Sequence, residues 1–228
     1  MTNEDTLRKI EVNVIQGRRN ADDEGLDEDL SGTPGVVELV RDALSEGIGA
    51  EEILINAITS GMRKVGERYE EGAYFLPDML TAAEAVDAAM EILEPHLIEA
   101  GVEPKGRVIL ATVKGDLHDI GKNIVGLMLK GNGFEVIDMG SDVDTEEIVR
   151  SVEANEADML GLSALLTTTM QKMGEAIDSL TEAGLRDDVK VMVGGAPISE
   201  SFAGEIGADG YGKDAFEAVR LANSFASK

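Results

Sequence analysis

Cysteine and tryptophan are both absent from this chain of 228 residues. Without cysteine there is no disulfide framework, no zinc site built on thiolates and no catalytic thiol. Aromatic residues make up only 4% of the sequence, which disfavours a surface that stacks the bases of single-stranded nucleic acid. The hydrophobic fraction of 43% is ordinary for a globular protein of one or two domains.

Positive charge is scarce. Lysine and arginine number 20 against 45 aspartates and glutamates, which gives a net charge of −25. A surface this acidic repels phosphate backbones, so we expect no nucleic-acid partner. The charge suits either a high-salt environment or a basic partner surface, and composition does not choose between them.

Long apolar runs are also missing. No segment approaches the ~20 consecutive apolar residues that span a bilayer. The first 19 residues carry acidic side chains near the start and lack the continuous apolar stretch of a signal peptide. We therefore expect no membrane partner and a cytoplasmic protein.

The first half of the chain has the apolar spacing of helices. Thr6 to Gln16 predicts a short helix, and the acidic segment from Arg18 to Gly35 predicts a solvated loop, with disorder as the extreme case. One long helix is predicted from an apolar stripe formed by Leu54, Ile58, Met62, Val65 and Tyr69. A second follows Pro77, and the short connection between the two predicts an antiparallel bundle.

After residue 106 the pattern alternates between apolar strands and amphipathic helices. The predicted strands are Arg107–Val113, Phe134–Met139, Ala157–Ala164, Lys190–Val193 and Asp209–Tyr211. This alternation predicts an α/β domain with a flavodoxin-like (Rossmann-like), doubly wound, five-stranded parallel sheet. We expect four parts: an N-terminal helix and acidic loop (1–35), a helical bundle (36–100), a linker (101–106) and the α/β domain (107–228).

The stretch from Gly115 to Gly121 carries the most informative residues. His118 follows the first predicted strand, where open α/β sheets bind their ligands. Asp116 is close enough to orient the imidazole, and Gly121 leaves room for a large ligand. The alternatives are a structural histidine and an aspartate that caps the next helix.

Two further loops point to the same crevice. Ser163 to Thr169 contains four hydroxyl side chains after the third strand, and Gly194-Gly195 follows the fourth. Hydroxyls suit a polar nucleotide tail, and glycines let a ligand lie against the backbone. One hydroxyl is equally well explained as a helix cap, and the glycines as an ordinary turn.

The motif Asp116-x-His118-x-x-Gly121 resembles the cobalamin-binding signature of corrinoid proteins. Ser163-Ala164-Leu165 and Gly194-Gly195 resemble the second and third motifs of that family, in order and spacing. The segment from Gly72 to Pro77 resembles the family's helical cap. The likeness is strongest to the small methyl carriers of methanol and methylamine systems, which are related to the cobalamin module of methionine synthase.

The resemblance implies cobalamin as cofactor, in its methylcobalamin or cob(I)alamin form or as a related corrinoid. It implies that His118 binds the cobalt and that Asp116 accepts a hydrogen bond from the ring's other nitrogen. The implied cofactor-binding residues are Gly115, Asp116, Leu117, His118, Asp119, Ile120, Gly121, Ser163, Leu165, Thr167, Thr169, Gly194, Gly195, Tyr211, Met62 and Val65. Tyr69, Phe75 and Leu76 join Met62 and Val65 as candidates to cover the upper corrin face, although a bundle core explains about half of that group.

Two positions depart from the family pattern. Thr169 stands where methionine synthase has a serine that completes a relay with the histidine and aspartate, and Gly212-Lys213 replaces an expected Ala-Pro.

The implied function is that of a methyl carrier without catalytic activity of its own. Its implied partners are a donor-specific methyltransferase, an acceptor-specific methyltransferase that uses tetrahydrofolate or a thiol cofactor, and a reductive activase. A cobalamin sensor or storage module, a mutase subunit and a flavodoxin-like domain for another nucleotide remain as alternatives. The methyl donor is left open.

Overall fold

The computed structural model describes residues 2–227. Before the sheet, the helices are α1 (Asn3–Ile15), α2 (Val36–Ser45), α3 (Ala50–Ile53), a π-helical segment (Leu54–Thr59), α4 (Ser60–Glu70) and α5 (Leu76–Glu99). The strands are β1 (Arg107–Thr112), β2 (Glu135–Asp138), β3 (Met159–Ser163), β4 (Lys190–Gly194) and β5 (Gly210–Gly212). The helices between and after them are α6 (Ile120–Gly131), α7 (Thr145–Ala154), α8 (Gln171–Glu182), α9 (Glu200–Glu205) and α10 (Ala215–Ala226).

The chain divides into two compact units at Glu103 and Pro104, with Lys130–Gly133 grouped with the first. In the helical unit, α5 packs against α1, α2 and α4. Pro77 lies in the first turn of α5, where its missing N–H leaves no intrahelical hydrogen bond unmade. No helix within residues 2–227 is long and apolar enough to cross a membrane.

The predicted single helix over residues 54–69 is wrong in one respect, because its first six residues are π-helical. The π pattern bonds residue i to i+5, so it turns more widely than an α-helix and rotates the buried face. Leu54, Ala57 and Ile58 are buried in the π segment. Met62 and Val65 continue the buried face in α4. Apolar spacing alone does not reveal the π segment, because the apolar residues keep a helix-like spacing through it.

The acidic segment 18–35 is also not the free, disordered loop that its composition allows. Arg18 is fully buried, and its guanidinium donates to Asn13 Oδ1 (2.7 Å), Thr33 O (2.7 Å) and Asp23 O (2.8 Å). Asp27 of the same segment accepts a hydrogen bond from Tyr74 Oη (3.0 Å). The segment therefore has no helix or strand but is tied to the helical unit by side-chain hydrogen bonds.

The second unit confirms the predicted α/β fold. Its strands are all parallel and lie in the order β2-β1-β3-β4-β5. Alternate residues of β1, β3 and β4 pack with α7 and α8 into a buried apolar core, for example Ile109, Leu160 and Val191 with Ile177. The carboxyl ends of β1, β3 and β4 therefore meet at one edge of the sheet.

Element boundaries differ from the predictions by one to two residues, and two of the differences affect the site. Helix α6 begins at Ile120, two residues before Lys122, where the apolar pattern predicts its start. The apolar pattern predicts that α8 starts at Thr169, but the helix begins at Gln171, so Thr169 lies in the preceding turn. The N-cap residue of α8 is Met170, and no side chain caps this helix. The capping explanation for a hydroxyl in this loop is therefore wrong.

Candidate functional site

The loop after β1 places His118 at the carboxyl edge of the sheet. Gly115 has φ +84°, a left-handed conformation that glycine adopts without strain and that turns the chain after the strand. Asp116 N donates to Val113 O (3.1 Å) within the turn. The buried Thr112 hydroxyl then donates to His118 O (3.0 Å), so the backbone is held on both sides of the loop.

Asp116 is fully buried and accepts five hydrogen bonds. Its Oδ1 accepts from His118 N (3.1 Å) and lies 2.8 Å from His118 Nδ1. Its Oδ2 accepts from Leu165 N (2.7 Å), Leu166 N (3.1 Å) and Thr169 Oγ1 (2.7 Å). The aspartate therefore joins the loop after β1 to the loop after β3, and it does not serve as a helix cap.

These donors determine the charge of Asp116 and the tautomer of His118. Burial raises the pKa of the Asp116 carboxyl, but the hydrogen bonds from Thr169, Leu165 and His118 outweigh it and hold the pKa below its usual value. An ionised carboxylate can only accept, so His118 Nδ1 carries a proton and donates to it. The His118 side chain is 54% exposed. In the neutral ring the lone pair is therefore on Nε2, which is the nitrogen left to bind a ligand at the surface of this unit.

Exposed apolar side chains lie next to His118 in sequence and on the β3 loop that is bonded to Asp116. Leu117 and Ile120 are 73% and 64% exposed, and Leu165 and Leu166 of the β3 loop are also exposed. Large apolar side chains are rarely left this open in a group unless they meet a partner or ligand. Gly121 adds clearance, because a Cβ there would meet no protein atom within 4 Å.

The glycine pair after β4 lies against the β3 loop. Gly195 has φ +131°, and a Cβ on it would come within 1.9 Å of Ala164 O. A Cβ on Gly194 would come within 2.8 Å of Gly212 O. Both positions therefore require glycine, because the neighbouring backbone leaves no room for a Cβ. The interpretation of the pair as an ordinary turn did not predict this close packing. Ser163, Thr167 and Tyr211 lie on or beside the ends of β3 and β5, partly or fully exposed, and their contact with a nucleotide tail stays a prediction.

The residues of the helical unit that were predicted to contact the cofactor include both buried and exposed side chains. Met62 and Val65 are buried core residues, whereas Tyr69, Phe75 and Leu76 are exposed. Their role toward a cofactor stays a prediction. The sequence interpretation missed Thr112 and Leu166, which hold the His118 loop. A threonine at a strand end and a leucine that acts through its backbone give no sequence signal of this kind.

These residues fit a corrinoid. In the part of the chain from residue 2 to 227, no three histidine or acidic side chains come together as a site for a bare metal ion. A single open imidazole instead suits a cobalt whose four equatorial nitrogens come with the macrocycle. The exposed leucines and isoleucine suit the apolar face of that macrocycle, and Asp116 supplies the carboxylate partner that metal-bound histidines usually have.

Comparison with known proteins agrees with this chemistry. A protein-family model described as a B12 binding domain matches residues 106–220. A second model with the same description matches residues 33–94. The two matches fall on the α/β and helical parts of the chain.

Three individual proteins are similar over most of the chain. A corrinoid protein of Desulfitobacterium hafniense is 44% identical over 89% of this chain and 93% of its own length. A dimethylamine corrinoid protein of Methanosarcina acetivorans is 46% identical over 82% of this chain and 87% of its own. The crystal structure of the methanol:cobalamin methyltransferase complex of Methanosarcina barkeri matches with a TM-score of 0.80 and 31% identity, covering 98% of this chain and 81% of the matched chain. With its buried aspartate behind an open imidazole, the chain belongs to the B12-binding corrinoid proteins, and cobalamin is its cofactor.

Proposed function

We propose that this chain is a methyl carrier that binds cobalamin with His118 as the lower axial ligand, in place of the cofactor's own base. Bound cobalamin supplies a cobalt that accepts a methyl group from one compound and yields it to another. Separate methyltransferases catalyse the loading and the unloading, and the chain alone is not catalytic. A reductive activase restores the cofactor when it is oxidised.

The observation that carries this proposal is the pairing of an exposed imidazole with a buried carboxylate. Five donors keep Asp116 ionised and fixed, and the carboxylate in turn keeps the proton of His118 on Nδ1. Nε2 then faces outward with its lone pair available to cobalt. The hydrogen bond from Nδ1 to an anion also makes Nε2 a stronger electron-pair donor to a metal than the nitrogen of a free imidazole.

The roles of the remaining site residues follow from their exposure. Leu117 and Ile120, both largely exposed near His118 in sequence, would contact the apolar surface of the macrocycle. Gly121 keeps space free for the macrocycle's edge. Ser163 and Thr167 would donate hydroxyl hydrogen bonds to the displaced nucleotide tail.

The relatives support methyl transfer over the alternatives. One is named for dimethylamine and another structure is that of a methanol:cobalamin methyltransferase complex. We infer that the donor here is a small methylated amine or methanol. We further infer that the acceptor methyltransferase uses tetrahydrofolate or a thiol cofactor.

A labelled-methyl assay tests the proposal. The chain is reconstituted with cobalamin, reduced, and mixed with a donor methyltransferase, isotope-labelled methanol or methylamines, and an acceptor methyltransferase. We expect label to reach the acceptor only when this chain is present. The His118→Ala variant is expected to transfer label much more slowly. A chain that retains cobalamin but exchanges no methyl group with any donor enzyme would favour a sensor or storage module and overturn the carrier role.

A further inference from the structure

Asp142, in the loop between β2 and α7, has an unusual backbone. Its φ is +58°, in the left-handed region that residues other than glycine seldom adopt. Aspartate tolerates this conformation better than most residues. Its side chain is 43% exposed, so burial does not account for its place in the fold.

Two hydrogen bonds connect Asp142 to the loop that carries His118. Its backbone N donates to Asp116 O (2.9 Å), and its Oδ1 accepts from Gly115 N (2.8 Å). The two bonds engage successive residues, Gly115 and Asp116, which lie three and two positions before the histidine. The Lys114 ammonium lies 3.5 Å from the same carboxylate oxygen.

In this left-handed conformation, the N–H and the carboxylate of one residue both bond to the same loop. Val113 O holds the N–H of Asp116 (3.1 Å), and Asp142 holds its carbonyl (2.9 Å). The peptide groups on both sides of Asp116 are therefore fixed. The direction in which its carboxylate projects toward His118 depends on that fixed backbone.

We propose that Asp142 is a positioning residue for the axial imidazole. Its carboxylate holds Gly115 N–H, and thereby keeps Asp116 where it meets His118 Nδ1. This inference rests on the proposed role of His118 as the cobalt ligand. Asp142 acts through the loop and touches neither the imidazole nor the cofactor.

Three variants separate the carboxylate from the backbone. Asp142→Gly adopts the left-handed conformation freely but loses the oxygen that accepts from Gly115. Asp142→Asn keeps an oxygen in that position and tolerates the same backbone. Asp144→Asn is the matched control, since Asp144 also pairs with Lys114 (3.1 Å) but contacts neither Gly115 nor Asp116.

The readout is the electron paramagnetic resonance spectrum of each variant, reconstituted with cobalamin and reduced to Co(II). Coupling to an axial histidine nitrogen reports ligation directly. We expect wild type, Asp142→Asn and Asp144→Asn to show this coupling throughout. In Asp142→Gly, we expect the histidine-ligated fraction to fall at least twofold, while the thermal unfolding midpoint of the cofactor-free protein stays near that of wild type.

Two results would overturn the inference while leaving the ligand assignment intact. One is full histidine coupling in Asp142→Gly, and the other is an equal loss in Asp142→Gly and Asp142→Asn. If wild type itself shows no histidine coupling, the proposed role of His118 fails and this inference fails with it.

Discussion

Replacing Asp116 with asparagine changes one oxygen of a fully buried carboxylate into an NH2 group of nearly the same size. All five hydrogen-bond partners of this carboxylate donate to it, so the new NH2 group must face donors wherever it lies. At the Oδ2 position it would face three. At the Oδ1 position it faces the N–H and Nδ1 of His118, and the ring must then accept at Nδ1 and carry its proton on Nε2. A protonated Nε2 has no lone pair for cobalt.

The magnitude follows from the hydrogen bonds that remain. A hydrogen bond to a charged group contributes about 1.5–3 kcal/mol to stability, and one between neutral groups about 0.5–1.5 kcal/mol. With the amide oxygen at the Oδ2 position, three bonds each lose about 1 kcal/mol of charge assistance, and His118 N–H loses its partner at a cost of about 1 kcal/mol. Water recovers part of this at the exposed Leu165 and Leu166. We expect a net loss of about 2–3 kcal/mol in the free energy of unfolding.

Urea unfolding of the cofactor-free protein measures this loss, with Asp178→Asn as the control. Asp178 is exposed on α8, and its replacement changes the net charge equally. We expect the control to stay within about 0.5 kcal/mol of wild type. After reconstitution, the Asp116→Asn variant should also lose the histidine coupling of Co(II). Wild-type stability together with retained coupling would refute the role assigned to Asp116.

Four further predictions concern the same site. Thr169→Val removes the hydroxyl that donates to Asp116 and should lower the free energy of unfolding by about 1.5–3 kcal/mol, whereas Thr169→Ser should stay within about 1 kcal/mol of wild type in the same urea titration. Gly195→Ala should lower that free energy by more than about 3 kcal/mol, because its φ is unfavourable and its Cβ would meet Ala164 O at 1.9 Å; equal stability would refute this. Gly121→Ala should leave the stability of the cofactor-free protein unchanged but weaken cobalamin binding, as measured by absorbance titration. Unchanged binding would show that the cofactor does not approach this position. The pKa of Asp116 lies below its usual 3.8, so its stabilisation is complete above about pH 5. As the pH falls, the unfolded chain takes up the proton first, and the stabilisation is lost progressively until the folded-state pKa is passed. Wild type should therefore lose more unfolding free energy than Asp116→Asn between about pH 5 and pH 3.

The fold and the position of His118 were predictable because both depend on local patterns. Buried parallel strands are continuous apolar runs, and the alternation of strand and helix fixes which strand ends meet at one edge. That logic places His118 at the carboxyl end of β1. The family motif adds Asp116 and the glycines.

The interactions that hold the site were not predictable, because they join residues far apart in sequence. Asp116 bonds to Thr169, 53 positions away, and the hydroxyl is available only because α8 begins two residues later than its pattern suggests. Asp142 reaches Gly115 across 27 positions. The spacing of apolar residues along the sequence does not indicate which distant residues form such pairs.

For the acidic segment 18–35 the sequence predicted a loop, as the structure has it, but not the contacts that hold that loop in place. Charge and composition predict a solvated loop, but they take no account of one arginine whose partners form a closed set around it. Arg18 is buried only because Asn13, Asp23 and Thr33 together satisfy its guanidinium. A buried charge is tolerated when it is fully hydrogen-bonded, and that condition is geometric.

The measurement that tests the central claim most directly is the electron paramagnetic resonance spectrum of the cobalamin-reconstituted protein in the Co(II) state, recorded beside His118→Ala. The account predicts coupling to a histidine nitrogen in wild type. It also predicts that the coupling is lost in the variant. Absence of that coupling in wild type, or its persistence in His118→Ala, would contradict the assignment of His118 as the axial ligand.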